Sequence, residues 1–162
     1  MAQGDNVKLR SELETQRDFG AMLDTMVPNP VTLADVAAAT LTKAANQGRV
    51  NLVPNLSQAS TYTLPAPAAA GEYYKFVYAG VAEDAEDFLL SSGAGSDVFL
   101  KGAITHLDTN ADNVALYLNG SSHQLLTLVD AGPYEINCLS ISSTVWQVWG
   151  YALSADVPTI AN

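Results

Sequence analysis

From residue 61 onward the chain is a succession of short, alternating apolar segments, each closed by turn-forming residues. The segments are Thr61–Leu64, Tyr73–Tyr78, Asp87–Ser91, Val98–Ile104, Val114–Leu118, Gln124–Asp130, Tyr134–Ile141 and Thr144–Ala152. Between them stand Pro65-Ala66-Pro67, Ser92-Gly93-Ala94-Gly95-Ser96, Thr109-Asn110-Ala111-Asp112-Asn113, Asn119-Gly120-Ser121-Ser122, Ala131-Gly132-Pro133 and Ser142-Ser143. A period of two over runs this short specifies strands with one face in a core, and leaves no length for helices. The pattern predicts a mainly β fold: an antiparallel sandwich or jelly-roll-like body over residues 61–162. Asn119-Gly120 predicts a tight hairpin turn, because both residues tolerate left-handed backbone angles.

Residues 1–60 read differently. Val7, Leu9, Leu13, Phe19, Met22, Leu23 and Met26 recur at helical spacings, and Asn29-Pro30 ends the run, which predicts an N-terminal helix over 7–26. A second short helix is expected between Thr32 and Gly48, followed by an alternating stretch Arg49–Pro54. The organisation that follows is a helix and extended arm over 1–60, serving docking or subunit exchange, and a β-body over 61–162. The tail from Ser154 to Asn162 is expected to be loose or laid on a neighbour.

Charge sharpens the division. Almost all of the net charge of −10 falls on residues 61–162, while residues 1–60 are near neutral. An acidic body is repelled by phosphate backbones, so no nucleic-acid partner is expected. Apolar residues make up 48% of the chain, enough to build a core, yet no stretch reaches the ~20 apolar residues of a membrane-spanning helix. No membrane partner is therefore expected. The start, Met1-Ala2-Gln3-Gly4-Asp5, lacks the basic and apolar regions of a secretory signal, so synthesis in a cytoplasm is expected. The single cysteine, Cys138, excludes an intrachain disulfide and reads as a buried thiol.

The chemistry-bearing residues do not assemble into a catalytic set. Asp108-Thr109-Asn110-Ala111-Asp112 begins like a calcium loop, but Asn113 and Asn119 occupy the positions that need Gly and Glu. Glu83-Asp84-Ala85-Glu86-Asp87 reads as a solvated loop or an ion-pairing surface. His106 and His123, with Cys138, lack the short-range spacing of a zinc site. No metal, cofactor or catalytic residue is expected. Of the aromatic residues, Trp146 shares a strand face with Val148 and reads as core. Trp149 and Tyr134 are candidates for a surface aromatic contact with a partner or a sugar.

An ordered series of residues carries a resemblance. Leu41-Thr42-Lys43-Ala44, Gly48-Arg49, Tyr62-Thr63-Leu64-Pro65, Gly71, Tyr74-Lys75-Phe76-Val77, Asn119-Gly120 and Val145-Trp146-Gln147-Val148-Trp149-Gly150 together resemble small β-rich virion proteins of tailed bacteriophages. The match spans roughly residues 41–151. It implies a capsid decoration, or cement, protein: a homotrimer on the outer surface of the virion that binds the assembled major capsid protein and has no catalytic residues. On that reading Leu9, Leu13, Phe19, Leu23, Met26 and Arg49 are the expected partner-binding residues. A receptor- or glycan-binding module of a head or tail fibre is the alternative expectation.

Overall fold

The computed structural model describes residues 29–93, 95–108 and 113–162. Among these the chain forms twelve strands and one short helix. The strands are β1 (Val31–Thr32), β2 (Ala38–Thr40), β3 (Val50–Val53), β4 (Ser60–Thr63), β5 (Tyr73–Tyr78), β6 (Phe88–Ser91), β7 (Phe99–Asp108), β8 (Val114–Asn119), β9 (Leu125–Leu128), β10 (Tyr134–Ser142), β11 (Val145–Ser154) and β12 (Thr159–Ala161), and α1 spans Lys43–Asn46. A seven-stranded sheet runs β1-β3-β5-β10-β11-β7-β8, and a five-stranded sheet runs β12-β9-β6-β4-β2. They face one another as a β-sandwich.

The core lies between the sheets and follows from alternation along each strand. Tyr74, Phe76 and Tyr78 of β5 point inward, as do Ile136 and Cys138 of β10 and Trp146 and Val148 of β11. Leu126 and Leu128 answer from β9, Tyr62 from β4, and Phe88 and Leu90 from β6. Phe88 bridges the sheets, its ring 5.7 Å from Phe76 and 5.1 Å from Tyr134. Such offset and tilted ring pairs contribute beyond the area they bury.

The sheets are mixed rather than antiparallel, which corrects the expectation. Strands β1 to β6 alternate between the two sheets, so each returns to its own sheet after one full coil and pairs in parallel with the strand two before it. Val31 stands opposite Asn51 and Val50 opposite Lys75, while Ala38 meets Thr61 and Ser60 meets Phe88. Only from β7 onward do hairpins give antiparallel neighbours, and even there β11 lies parallel to β7.

Three further expectations change. Residues 31–60 are built into both sheets and contribute Leu33, Leu41, Val53 and Leu56 to the core, so they are part of the sandwich and not an arm outside it. The helix expected between Thr32 and Gly48 shrinks to the four residues of α1, capped by Thr42, because β2 takes up the preceding stretch in a parallel pair with β4. The C-terminal tail is not loose: β12 pairs with β9 at the edge of the five-stranded sheet. The helix expected over 7–26 lies outside the described residues.

The Pro65–Gly71 turn is fastened to the body by Glu72 and Ser140. One carboxylate oxygen of Glu72 accepts from Lys43 Nζ at 2.5 Å and from the Ala68 amide at 3.0 Å. Ser140 Oγ accepts from the Glu72 amide at 2.8 Å and donates to the Ala69 carbonyl at 2.7 Å. Burial pushes the Glu72 carboxyl up, but the Lys43 ammonium and the Ala68 amide outweigh it and hold it below the ordinary range.

Candidate interaction face

The outward face of the seven-stranded sheet is where the exposed aromatic residues gather. Strand register aligns Tyr117, Ala103, Trp149, Asn137, Lys75 and Val50 in one row across β8, β7, β11, β10, β5 and β3. The next row carries Ala115, Thr105, Tyr151, Glu135, Val77 and Leu52. Trp149 and Tyr151 are each 40% exposed and Tyr117 is 66% exposed. The methyl of Ala103 is the only side chain between Tyr117 and Trp149 in their row, two strand spacings, or about 10 Å, apart.

A polar chain borders Trp149. Tyr73 Oη donates to Asn137 Oδ1 at 2.5 Å, Asn137 Nδ2 donates to Glu135 Oε1 at 3.2 Å, and the same oxygen meets Lys75 Nζ at 2.9 Å. Lys75 and then Asn137 hold the Glu135 carboxyl below the ordinary carboxylate range, and desolvation pushes the Tyr73 hydroxyl up. The charges on this part of the face are therefore satisfied within it, which leaves the ring surfaces as its unmatched feature.

The structure separates the two aromatic candidates. Tyr134 is only 2% exposed, with its ring 5.4 Å from Tyr78 and 5.1 Å from Phe88, so it is core and makes no surface contact. Its position at the start of β10 shares parity with Ile136 and Cys138, and burial drives its hydroxyl well above the ordinary tyrosine value. Trp146 is fully buried, edge-on to Tyr74 at 5.5 Å. Trp149 lies on the opposite face of the same strand. Tyr117 and Ile141 also lie exposed and were not singled out from sequence. Alternation with the buried Leu116 and Leu118 was the signal that places Tyr117 outside. Arg49 is half-buried just before β3, while Leu9, Leu13, Phe19, Leu23 and Met26 lie outside the described residues.

Other chemistry-bearing groups serve the fold, while residues 109–112 of the calcium-loop-like run lie outside the described residues. In the acidic loop, Asp84 is buried and accepts from the Leu56 amide at 2.8 Å, Glu83 accepts from the Ala155 amide at 3.1 Å, and Asp87 accepts from the Asp130 amide at 3.4 Å. The cluster thus staples neighbouring segments, with Asp84 buried while Glu83 and Ala85 remain exposed as a solvated loop requires. A surface depression of about 280 Å³ lies beside it, lined by Glu83, Asp84, Asp130 and Asp156. Among the described residues no three His, Cys, Asp or Glu side chains stand together as a metal site.

His106 is buried with Nε2 3.1 Å from both the carbonyl and the hydroxyl of Ser154. His123 Nδ1 accepts from the Asn119 amide at 3.0 Å. Asn119-Gly120 is not a hairpin turn: β8 and β9 belong to different sheets, and Asn119 Oδ1 accepts from the amides of Ser121 and Ser122 to turn the chain from one sheet to the other. Cys138 is buried and its thiol is pushed far up by desolvation, which makes it inert. No protein-family model matches the chain, and no curated protein matches it.

Proposed function

We propose that this chain is a structural protein of a tailed-bacteriophage virion, a capsid decoration or cement protein that binds the assembled shell of major capsid protein and stabilises it without catalysis. The observation that supports this reading best is the outward face of the large sheet. It is broad, rich in exposed aromatic rings, and its Lys75–Glu135 charges are already paired. Rigid aromatic side chains on a strand scaffold lose little conformational freedom on binding, which suits them as interface anchors. The ordered sequence series over residues 41–151 supports the same reading, as does the acidic charge, which turns the body away from packaged nucleic acid. A protein that binds only the assembled shell stabilises it by mass action.

The test is co-sedimentation with assembled capsids. The wild-type chain is expected to pellet with capsids and to raise their disassembly temperature. Trp149→Ala combined with Tyr117→Ala is expected to weaken shell binding by at least about tenfold while leaving the fold intact. Removal of residues 1–28 tests the separate contribution assigned to Leu9, Leu13, Phe19, Leu23 and Met26. Absence of capsid binding by the full chain would sink the proposal.

One observation favours a second reading, a glycan-binding module of a head or tail fibre. Trp149 lies beside Tyr73, Asn137 and Glu135, and a ring flanked by hydrogen-bonding groups is suited to stack on a sugar. Glycan-array binding lost on Trp149→Ala, with no binding to capsids, would favour it over the shell.

A further inference from the structure

We propose that β8 is a self-complementary edge through which two copies of this chain pair, joining their seven-stranded sheets across a two-fold axis. The described part of the fold has four sheet edges. Three are blunted by length: β1 has two residues, and β2 and β12 have three each. The fourth, β8, has six residues, Val114-Ala115-Leu116-Tyr117-Leu118-Asn119. It carries none of the usual protections of an edge, having no Lys, no Pro and no register shift along its pairing with β7.

The unpaired backbone groups can be named. Gly120 donates its amide to the Leu100 carbonyl at 2.9 Å, so the alternation of an antiparallel ladder assigns the bonds to β7 to Leu118, Leu116 and Val114. The amides and carbonyls of Ala115, Tyr117 and Asn119 therefore point away from β7. The outward Asn119 amide is already taken by His123 Nδ1 at 3.0 Å, which ends the available edge. Ala115 and Tyr117 remain, and their side chains are exposed.

Two such residues spaced by one match their own copy in antiparallel register. Ala115 faces Tyr117 of the second copy and Tyr117 faces its Ala115, giving two hydrogen-bonded pairs, with Leu116 on the axis. Charge permits this approach at β8. A chain of net charge −10 repels itself, yet no Asp, Glu, Lys or Arg occurs from Asn113 to Val129. This contact departs from the homotrimer that the resemblance implies: a three-fold ring would need a second, different surface to receive β8, whereas a two-fold contact needs only β8 itself. The outward aromatic faces of both copies would then run on as one surface, with Tyr117 of each beside the axis. The pairing does not depend on what that surface binds.

Cysteine trapping on the full-length chain tests both the edge and its register. Ala115→Cys and Tyr117→Cys lie on the exposed face, and the native Cys138 is buried. In the proposed register residue 115 of one copy and 117 of the other are an opposed pair with Cα atoms about 5.5 Å apart, within disulfide reach. Like positions are diagonal, about 7–8 Å or more apart. A mixture of the two variants is expected to cross-link under mild oxidation, and each variant alone is expected to cross-link far less.

Sedimentation equilibrium provides the second readout. The wild type is expected to form a concentration-dependent dimer. Ala115→Pro removes an amide that β7 does not use, and is expected to weaken the dimer by at least about tenfold. Tyr117→Lys is expected to do the same by placing a charge on the edge, and serves if the proline variant does not fold. A strictly monomeric wild type, a trimer, a dimer indifferent to both variants, or equal cross-linking by single variants and mixture would each overturn the proposal.

Discussion

The ring of Tyr73 lies 6.4 Å from that of Trp149, inclined at 34°, on the outward face of the large sheet. The contact reaches from β5 to β11 over β10, because Tyr73 donates its hydroxyl to Asn137, the residue directly opposite Trp149. The pair fixes the orientation of an exposed indole without burying it.

The two tryptophans of β11 are therefore expected to differ in what they do. Trp146→Ala empties a fully buried site against Tyr74 and should cost about 3–5 kcal/mol. Trp149→Ala removes a side chain that is 40% exposed and should cost less than about 1.5 kcal/mol. Urea denaturation of both variants measures the difference. A larger cost at Trp149 than at Trp146 would contradict the placement of the two rings.

Gly150 follows Trp149 with φ of +154°, and a Cβ there would come within 1.9 Å of the Glu135 carbonyl oxygen on the neighbouring strand. Gly150→Ala combines backbone strain with a clash between rigid elements. It should destabilise the protein by about 2 kcal/mol or more. It should also change the fluorescence of Trp149, whose strand must shift. Unchanged spectra and an unchanged thermal midpoint would refute this.

The Lys75–Glu135 pair sets a pH dependence. Lys75 and Asn137 hold the folded Glu135 carboxyl below its unfolded value. The stabilisation is thus fully present above the unfolded value and is lost as pH falls through the folded one. Both side chains are partly exposed, so it amounts to less than about 1 kcal/mol. Glu135→Gln should remove this acid-side step from the stability profile and leave the neutral-side plateau nearly parallel to the wild type.

Glu72 should matter more than its single charge suggests. Glu72→Ala leaves the Ala68 amide and the Lys43 ammonium without their acceptor, at a cost of about 1–3 kcal/mol. The Pro65–Gly71 turn should then become the first site of limited proteolysis. Glu72→Gln keeps an acceptor for Ala68 and should restore part of the loss. Equal proteolysis of wild type and Glu72→Ala would count against the fastening role.

Much of this fold was legible because its strands are short and alternate cleanly. Tyr73–Tyr78 appears as a strand with those bounds, and the segments beginning at Val114 and Tyr134 differ from the observed strands only at their ends. The outward position of Trp149 followed from simple parity with Trp146. The same parity places Tyr134 inside with Ile136 and Cys138, whereas its aromatic character alone suggested a surface contact. Strand direction was not legible. Whether Val50–Val53 runs with or against Tyr73–Tyr78 depends on which sheet the intervening β4 joins, and alternation says nothing of that. The coil of β1 to β6 lengthens from turn to turn, so it leaves no fixed period to detect. The stapling roles of Glu83, Asp84 and Asp87 were hidden for a related reason, since their amide partners Ala155, Leu56 and Asp130 are distant in sequence.

The order of strands in the large sheet has a consequence for how the chain is made. β11 lies between β10 and β7, so before residues 145–154 leave the ribosome that sheet consists of two unconnected pieces, β1-β3-β5-β10 and β7-β8. Every ladder bond joining those pieces awaits the last strand the sheet receives. Until then β7 and β10 each present an open flank. Nascent chains halted before Val145 should therefore remain protease-sensitive and stick to one another, and resistance should arrive in one step once Ser154 has emerged.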